Sequence, residues 1–134
     1  MTQERIEYQN ILVCGAHMSG LPLNTQLTER GAAFSESVQT AACYQLYALP
    51  GGPPFRPGLI RITENGFSIE AEIWRLPVAR WGDFIALIPA PLCIGSVLLA
   101  DNRLVKGFLC EGYALQGAKN ISAMGGWRNF LKTI

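Results

Sequence analysis

The segment L59-I-R-I-T-E-N-G-F-S-I-E-A-E-I-W74 decides how the chain is to be laid out. Asn65-Gly66 is a strong short hairpin signal, because both residues tolerate positive φ. After the turn, Phe67, Ile69, Ala71 and Ile73 alternate with Ser68, Glu70, Glu72 and Trp74. That period of two predicts a strand with one apolar face and one polar face. Glu70 and Glu72 then share the polar face beside an indole. Two carboxylates so spaced suit acid/base chemistry, but on the outer face of a hairpin they are more commonly solvated.

Outward from this hairpin the pattern stays mixed. "NILVCGA" (10–16) is a short apolar run and predicts a buried strand. The loop "HMSGLPLN" follows, and "PLNTQLTERG" predicts a short helix ended by Gly31. Within residues 33–50, the Val38 region and "CYQLYAL" read as extended. "GGPPFRPG" (51–58) reads as a loop, since Gly and Pro dominate it. "LPVARWGDFIALIP" (76–89) switches to helical spacing, with Val78, Trp81, Ile85 and Ile88 on one stripe and Pro89 as its stop. "IGSVLLADNRLVKGFLCE" predicts a second hairpin turning at Asp101-Asn102. The remainder predicts one or two short helices. The fold class is α+β, with hairpin-paired strands and helices packed on one side or in crossovers.

The chain has 134 residues, 49% of them hydrophobic and 16% charged, with a formal net charge of +1. One domain with one core follows from this length and composition. Scattered Lys and Arg give no electrostatic footprint for nucleic acid. Residues 1–9 form a polar N-terminal extension, with no apolar run after a basic start to suggest a secretion signal. No apolar run is long enough to span a membrane. A cytoplasmic location is the expectation. Cys14, Cys43, Cys93 and Cys110 have no CxxC spacing, so buried free thiols are expected rather than a metal site or disulfides. Tyr44, Tyr47, Trp74, Trp81 and Trp127 read as core and rim aromatics, since no basic groups interleave with them.

His17 is the only histidine in the chain, flanked by Gly15 and Gly20 just past the first strand. Glycines let backbone N–H groups approach a ligand. A histidine there suits general acid/base chemistry near neutral pH. A hydrogen-bonded structural histidine in a tight turn fits the spacing equally well. Lys106, Arg61 and Glu111 are charges beside apolar residues and read, taken singly, as surface charges on strand edges. Phosphate-loop, GxSxG and HExxH signatures are absent.

Taken in order, "VCGAHMSGLPLNTQLTERGA", "CYQLYALPG", "PGLIRI", "IEAEIWRLP", "IPAPLCIGSVLL" and "VKGFLCE…GWRNFL" resemble the C-terminal domain of allophanate hydrolase. The likeness runs from about Asn10 to Leu131, which makes residues 10–134 a single domain of this type. The resemblance implies a gamma-glutamyl cyclotransferase-like fold, a small mixed β-barrel with flanking short helices. In that superfamily the first strand ends in a Tyr-Gly-Ser-Leu loop that binds ligand through backbone amides. Cys14, Gly15, Ala16 and His17 match it here. The cyclotransferase glutamate has no counterpart in "IPAPLCIG", which argues against cyclotransferase chemistry unless Glu72 points into the barrel and replaces it.

The resemblance also implies an activity. It is decarboxylation of N-carboxycarbamate in urea and allophanate degradation, with His17 as general acid/base. Gly15, Ala16, Met18, Asn24, Gln26 and Tyr44 are the implied hydrogen-bonding and contact residues of the substrate. Arg61 and Lys106 are the implied cations, and Glu111 orients a base or a cation. The implied partners are a small carboxylate substrate, an amidase domain or chain, and a second copy of this chain in a homodimer. Nucleic acid and membrane are not among them, and no cofactor or metal is called for. The contrasting expectation is a non-catalytic oligomerisation or interaction module of a urea-degrading enzyme.

Overall fold

A computed structural model describes residues 5–134; Met1–Glu4, part of the polar N-terminal segment, lie outside the described residues. The strands are β1 (Tyr8–Val13), β2 (Ala33–Gln39), β3 (Tyr44–Ala48), β4 (Pro57–Arg61), β5 (Glu70–Pro77), β6 (Leu92–Leu98), β7 (Leu104–Cys110) and β8 (Lys119–Asn120). Three five-residue helices accompany them: α1 (Asn24–Thr28), α2 (Trp81–Ile85) and α3 (Trp127–Leu131). Five strands form one sheet in the order β2-β5-β1-β7-β6, and three form a second in the order β4-β3-β8. None of the described helices is long and apolar enough to cross a membrane.

The hairpin expected over residues 59–74 does not form. β4 pairs with β3, whereas β5 pairs with both β1 and β2 in the other sheet. The Asn65-Gly66 turn therefore carries the chain from one sheet to the other. Asn65 takes φ 61°, but Gly66 is not at positive φ, so the tight turn that needs both is not made. Gly66 is required for another reason: a Cβ there would lie 2.5 Å from the Cys43 Cα.

This rearrangement changes the faces of β5. The strand is buried on both faces, with the Ser19 turn and Arg128 of α3 against Glu72: Ala71, Ile73 and Leu76 have no exposure, and Glu72 and Trp74 are also buried. The expectation of a solvated Glu72 is thus overturned.

The second hairpin does form. β6 and β7 are antiparallel from Leu92↔Cys110 to Leu98↔Leu104, and Asn102 takes φ 73° at the turn. β1 lies beside β7 in parallel, in register at Leu12↔Gly107. The apolar half of β1, Ile11–Val13, is fully buried there. Burying each such side chain is worth about 1.5–3 kcal/mol.

The sheet does not close into the expected barrel. Its outer strands, β2 and β6, converge only near the isolated bridge Thr40↔Leu99, with Ala41 N–H donating to Leu98 O at 2.9 Å. A cleft of about 610 Å³ flanks this point, lined by Glu36, Gln39, Leu99 and Arg103 among others. A barrel needs a continuous ladder around its circumference, and one bridge does not supply it.

The helical stripe also shifts. β5 continues to Pro77 and a single 3-10 turn follows, so α2 starts only at Trp81. Its buried residue is Phe84, while Val78 and Ile85 remain exposed.

Candidate active site

β1 ends at Val13, and the chain then folds back on itself. Met18 N–H donates to Gly15 O at 3.1 Å, and Leu23 N–H to Ala16 O at 2.8 Å. Gly15 allows this turn to press on β4, because a Cβ at that position would lie 2.5 Å from the Pro57 ring. The turn delivers His17 into the interior, where it is 5% exposed. Its imidazole stacks on Phe108 at 4.8 Å between centroids and meets the edge of Phe84 at 5.4 Å.

The ring is anchored from α1. His17 Nε2 lies 2.7 Å from the Gln26 Oε1, and the Asn24 amide donates to the His17 carbonyl at 2.8 Å. A carbonyl oxygen only accepts, so the Nε2–H tautomer is the one that can use this contact. Burial lowers the His17 pKa from 6.5 to about 4; the Gln26 bond opposes that shift and the Arg56 charge adds to it. At neutral pH the ring is therefore uncharged. Among the described residues Nδ1 has no hydrogen-bond partner, yet no buried side-chain nitrogen or oxygen lacks one.

His17, Gly15 and Ala16 line a cavity of about 20 Å³ together with Cys14, Arg56, Pro57, Leu92 and Phe108. That is room for about one water molecule. Arg56 and Leu92 also line a neighbouring vestibule of about 420 Å³, walled by Pro50, Pro54, Pro91 and Tyr113 among others. Arg56 thus lines both a roomy chamber and the narrow recess that His17 shares, and its charge is felt at the imidazole. It can hold an anion in the vestibule and present one end of it to a proton acceptor or donor. Cys14 offers no nucleophile: burial, with Cys110 nearby, pushes its thiol up to about 12. All four cysteines are free, with Cys14 and Cys110 buried and Cys43 and Cys93 half-buried.

The other sequence candidates disperse. Met18 is a fully buried core residue. Tyr44 is also fully buried, and its hydroxyl accepts from Leu98 N–H at 2.8 Å, far from any ligand role. Arg61 is exposed at the end of β4. Lys106 is exposed, donates to Ser96 Oγ at 3.0 Å, and lines a separate cavity with Tyr8 and Asn10. Glu111 is exposed after β7, and its side chain lines neither the recess nor the vestibule. The two cations expected to neutralise a substrate are therefore not at His17. Arg56 is, and sequence reasoning missed it inside "GGPPFRPG". The available signal was a lone cation set among apolar and Pro residues immediately before a strand.

Glu72 belongs to a different cluster. It accepts from Ser19 N–H at 2.8 Å, Trp74 Nε1 at 3.0 Å and Arg128 Nη2 at 2.9 Å, and from the Ser19 hydroxyl at 3.1 Å. Burial alone would raise its pKa; these donors outweigh burial and hold it below the usual carboxylate range. Arg128 also donates to Ser19 O at 2.9 Å. The cluster clamps the end of the His17 turn to β5 and α3. Glu72 does not line the His17 recess, so it does not take the place of the missing cyclotransferase glutamate. Among the described residues no group of three His, Cys, Asp or Glu side chains could hold a metal ion.

The fold is that of the gamma-glutamyl cyclotransferase-like proteins. A mouse aig2-like protein matches at TM-score 0.63 with 18% identity, and a gamma-glutamyl cyclotransferase at TM-score 0.53 with 10% identity. Those two likenesses define the architecture alone. Residues 9–132 match the family model described as the allophanate hydrolase C-terminal domain, and the chain belongs to that family. It is 41% identical over 128 residues to urea amidolyase of Saccharomyces cerevisiae, covering 92% of this chain and 7% of that protein. It matches the structure of Kluyveromyces lactis allophanate hydrolase at TM-score 0.92 and 40% identity, covering 95% of this chain and 21% of that one. It also matches c4763, a uropathogenic E. coli-specific protein, at TM-score 0.89 and 32% identity, covering 96% of this chain and 99% of that one. The chain thus spans only a small part of its enzyme relatives and nearly all of the last.

Proposed function

We propose that this domain removes carbon dioxide from N-carboxycarbamate, in partnership with an amidase domain or chain that produces it from allophanate. The observation that carries this reading is the pairing of a neutral, buried His17 with the Arg56 guanidinium at one recess. N-carboxycarbamate carries two carboxylates on one nitrogen. It is too large for the recess, so the body of the substrate sits in the vestibule with a carboxylate on Arg56 and one end toward His17. Gly15 and Ala16 shape the recess around that end.

The reaction breaks one C–N bond. Its electron pair goes to nitrogen, carbon dioxide leaves, and the nitrogen gains a proton to give carbamate. In the empty site Arg56 disfavours a second positive charge on His17. A dianion cancels that field and favours the imidazolium, so the bound substrate turns His17 into the acid that the nitrogen needs. Leu92, Pro57 and Phe108 form apolar walls that exclude water and strengthen these charge interactions.

The test supplies allophanate to an isolated amidase domain and follows ammonia and carbon dioxide release with and without this protein. Faster decay of N-carboxycarbamate with the intact protein is expected. His17→Ala should abolish the acceleration, and Arg56→Gln should raise KM at least tenfold. No acceleration by the intact protein refutes the activity, and full activity of His17→Ala refutes the role of His17.

A further inference from the structure

We infer that Gln26 is a positioning residue, which selects the Nε2–H tautomer of His17 and leaves Nδ1 as the nitrogen that exchanges a proton at the recess. This rests on the proposed role of His17 for its catalytic consequence, but not for the tautomer itself.

The geometry is built from three directions. Gln26 Oε1 meets Nε2 at 2.7 Å, and the rings of Phe108 and Phe84 hold the imidazole plane. Gln26 is itself held, because Arg30 Nη1 donates to its backbone oxygen at 3.0 Å. Arg30 also pairs with Asp83 at 2.9 Å, one residue before Phe84. Thus α1, which carries the acceptor, and α2, which carries the edge ring, are joined beside the histidine. Nε2 is occupied by Gln26, and Nδ1 has no hydrogen-bond partner among the described residues.

An amide at that position does two things that no substrate ligand need do. Its oxygen prevents Nε2 from acting as a base. Its neutrality supports an imidazolium less than a carboxylate would, so the ring stays uncharged until an anion arrives. Gln26 therefore serves His17 rather than the substrate, in contrast to the role that the resemblance implied.

The lone histidine makes the test direct. In a protein with ¹⁵N-labelled histidine, every imidazole signal belongs to His17. Long-range ¹H–¹⁵N correlation of the wild type near neutral pH should show Nε2 protonated and Nδ1 unprotonated. Gln26→Leu should lower the Nε2–H:Nδ1–H ratio about tenfold, the equivalent of one hydrogen bond. Gln26→Glu is nearly isosteric and keeps an acceptor, so it should keep the tautomer while raising the His17 titration midpoint by at least about one unit.

A wild-type Nδ1–H tautomer overturns the inference, as does an unmoved midpoint in Gln26→Glu. An unchanged ratio in a folded Gln26→Leu does so too; if that variant does not fold, Gln26→Glu decides alone. In the decarboxylation assay Gln26→Glu should move the pH profile of kcat to higher pH with KM changed less than twofold. If the spectra behave as expected and neither the intact protein nor the variant turns over substrate, the tautomer assignment stands and the proposed activity fails.

Discussion

Acid should destabilise this protein through His17 in a specific window. The unfolded histidine titrates near 6.5 and the folded one at about 4. Between those values the unfolded chain binds a proton that the folded chain refuses. Stability from this group is therefore full above the unfolded pKa and is lost as pH falls toward the folded one. A shift of that size corresponds to about 3 kcal/mol in total, of which about 2 kcal/mol is lost between pH 7 and pH 4.5. Other groups also titrate. Glu72, whose folded pKa is lowered, contributes stability above its unfolded pKa that is lost as pH falls through its folded one. The clean comparison is the wild type against His17→Gln, which keeps every carboxylate and lacks the titrating ring. Urea unfolding at the two pH values should show the wild type losing about 2 kcal/mol more than the variant, a difference of about 1–2 M in midpoint. Equal losses in the two proteins would refute the argument that His17 is buried as the neutral ring.

Other substitutions test the frame around the site. Gly15→Ala drives a Cβ into the Pro57 ring, which has no flexible end to move aside, and should cost about 1–3 kcal/mol in urea unfolding. Glu72→Ala leaves the Trp74 indole and the Ser19 N–H without their acceptor, while Arg128 keeps Ser19 O and Glu70; a loss of about 1–3 kcal/mol is expected by the same measurement. Arg103→Ala removes exposed ion pairs with Glu36 and Asp101 that solvent screens, and should leave the urea midpoint unchanged, which a parallel denaturation curve checks.

Much of this protein was legible one segment at a time. The apolar run 10–16 located β1, the turn signal at Asp101-Asn102 located the β6–β7 hairpin, and six ordered motifs pointed to the family. Those features depend on neighbours within a few positions: side-chain alternation, a residue that tolerates positive φ, a Pro that stops a helix. His17 also stood out, because a lone histidine beside glycines is visible without a fold. Its chemical state was not, since a ring is made neutral by what surrounds it, and Phe84, Phe108, Gln26 and Arg56 come from four separate segments.

The same division explains the errors. Asn65-Gly66 announces a change of direction, but strand pairing is set by which long-range ladder gains the most burial. β5 went to β1 and β2, β4 went to β3, and a carboxylate assigned to water became a buried clamp. Arg61 and Lys106 looked like substrate cations because their neighbours are apolar, yet Arg61 is exposed at the end of β4 and Lys106 lines a separate cavity. By itself the sequence determined most of the strands, the working turn and the presence of one titratable ring near a glycine-flanked bend. Only the tertiary structure decided which cation stands beside that ring, which carboxylate is withdrawn from solvent, and that the sheet stays open, because these follow from contacts between residues far apart in the chain.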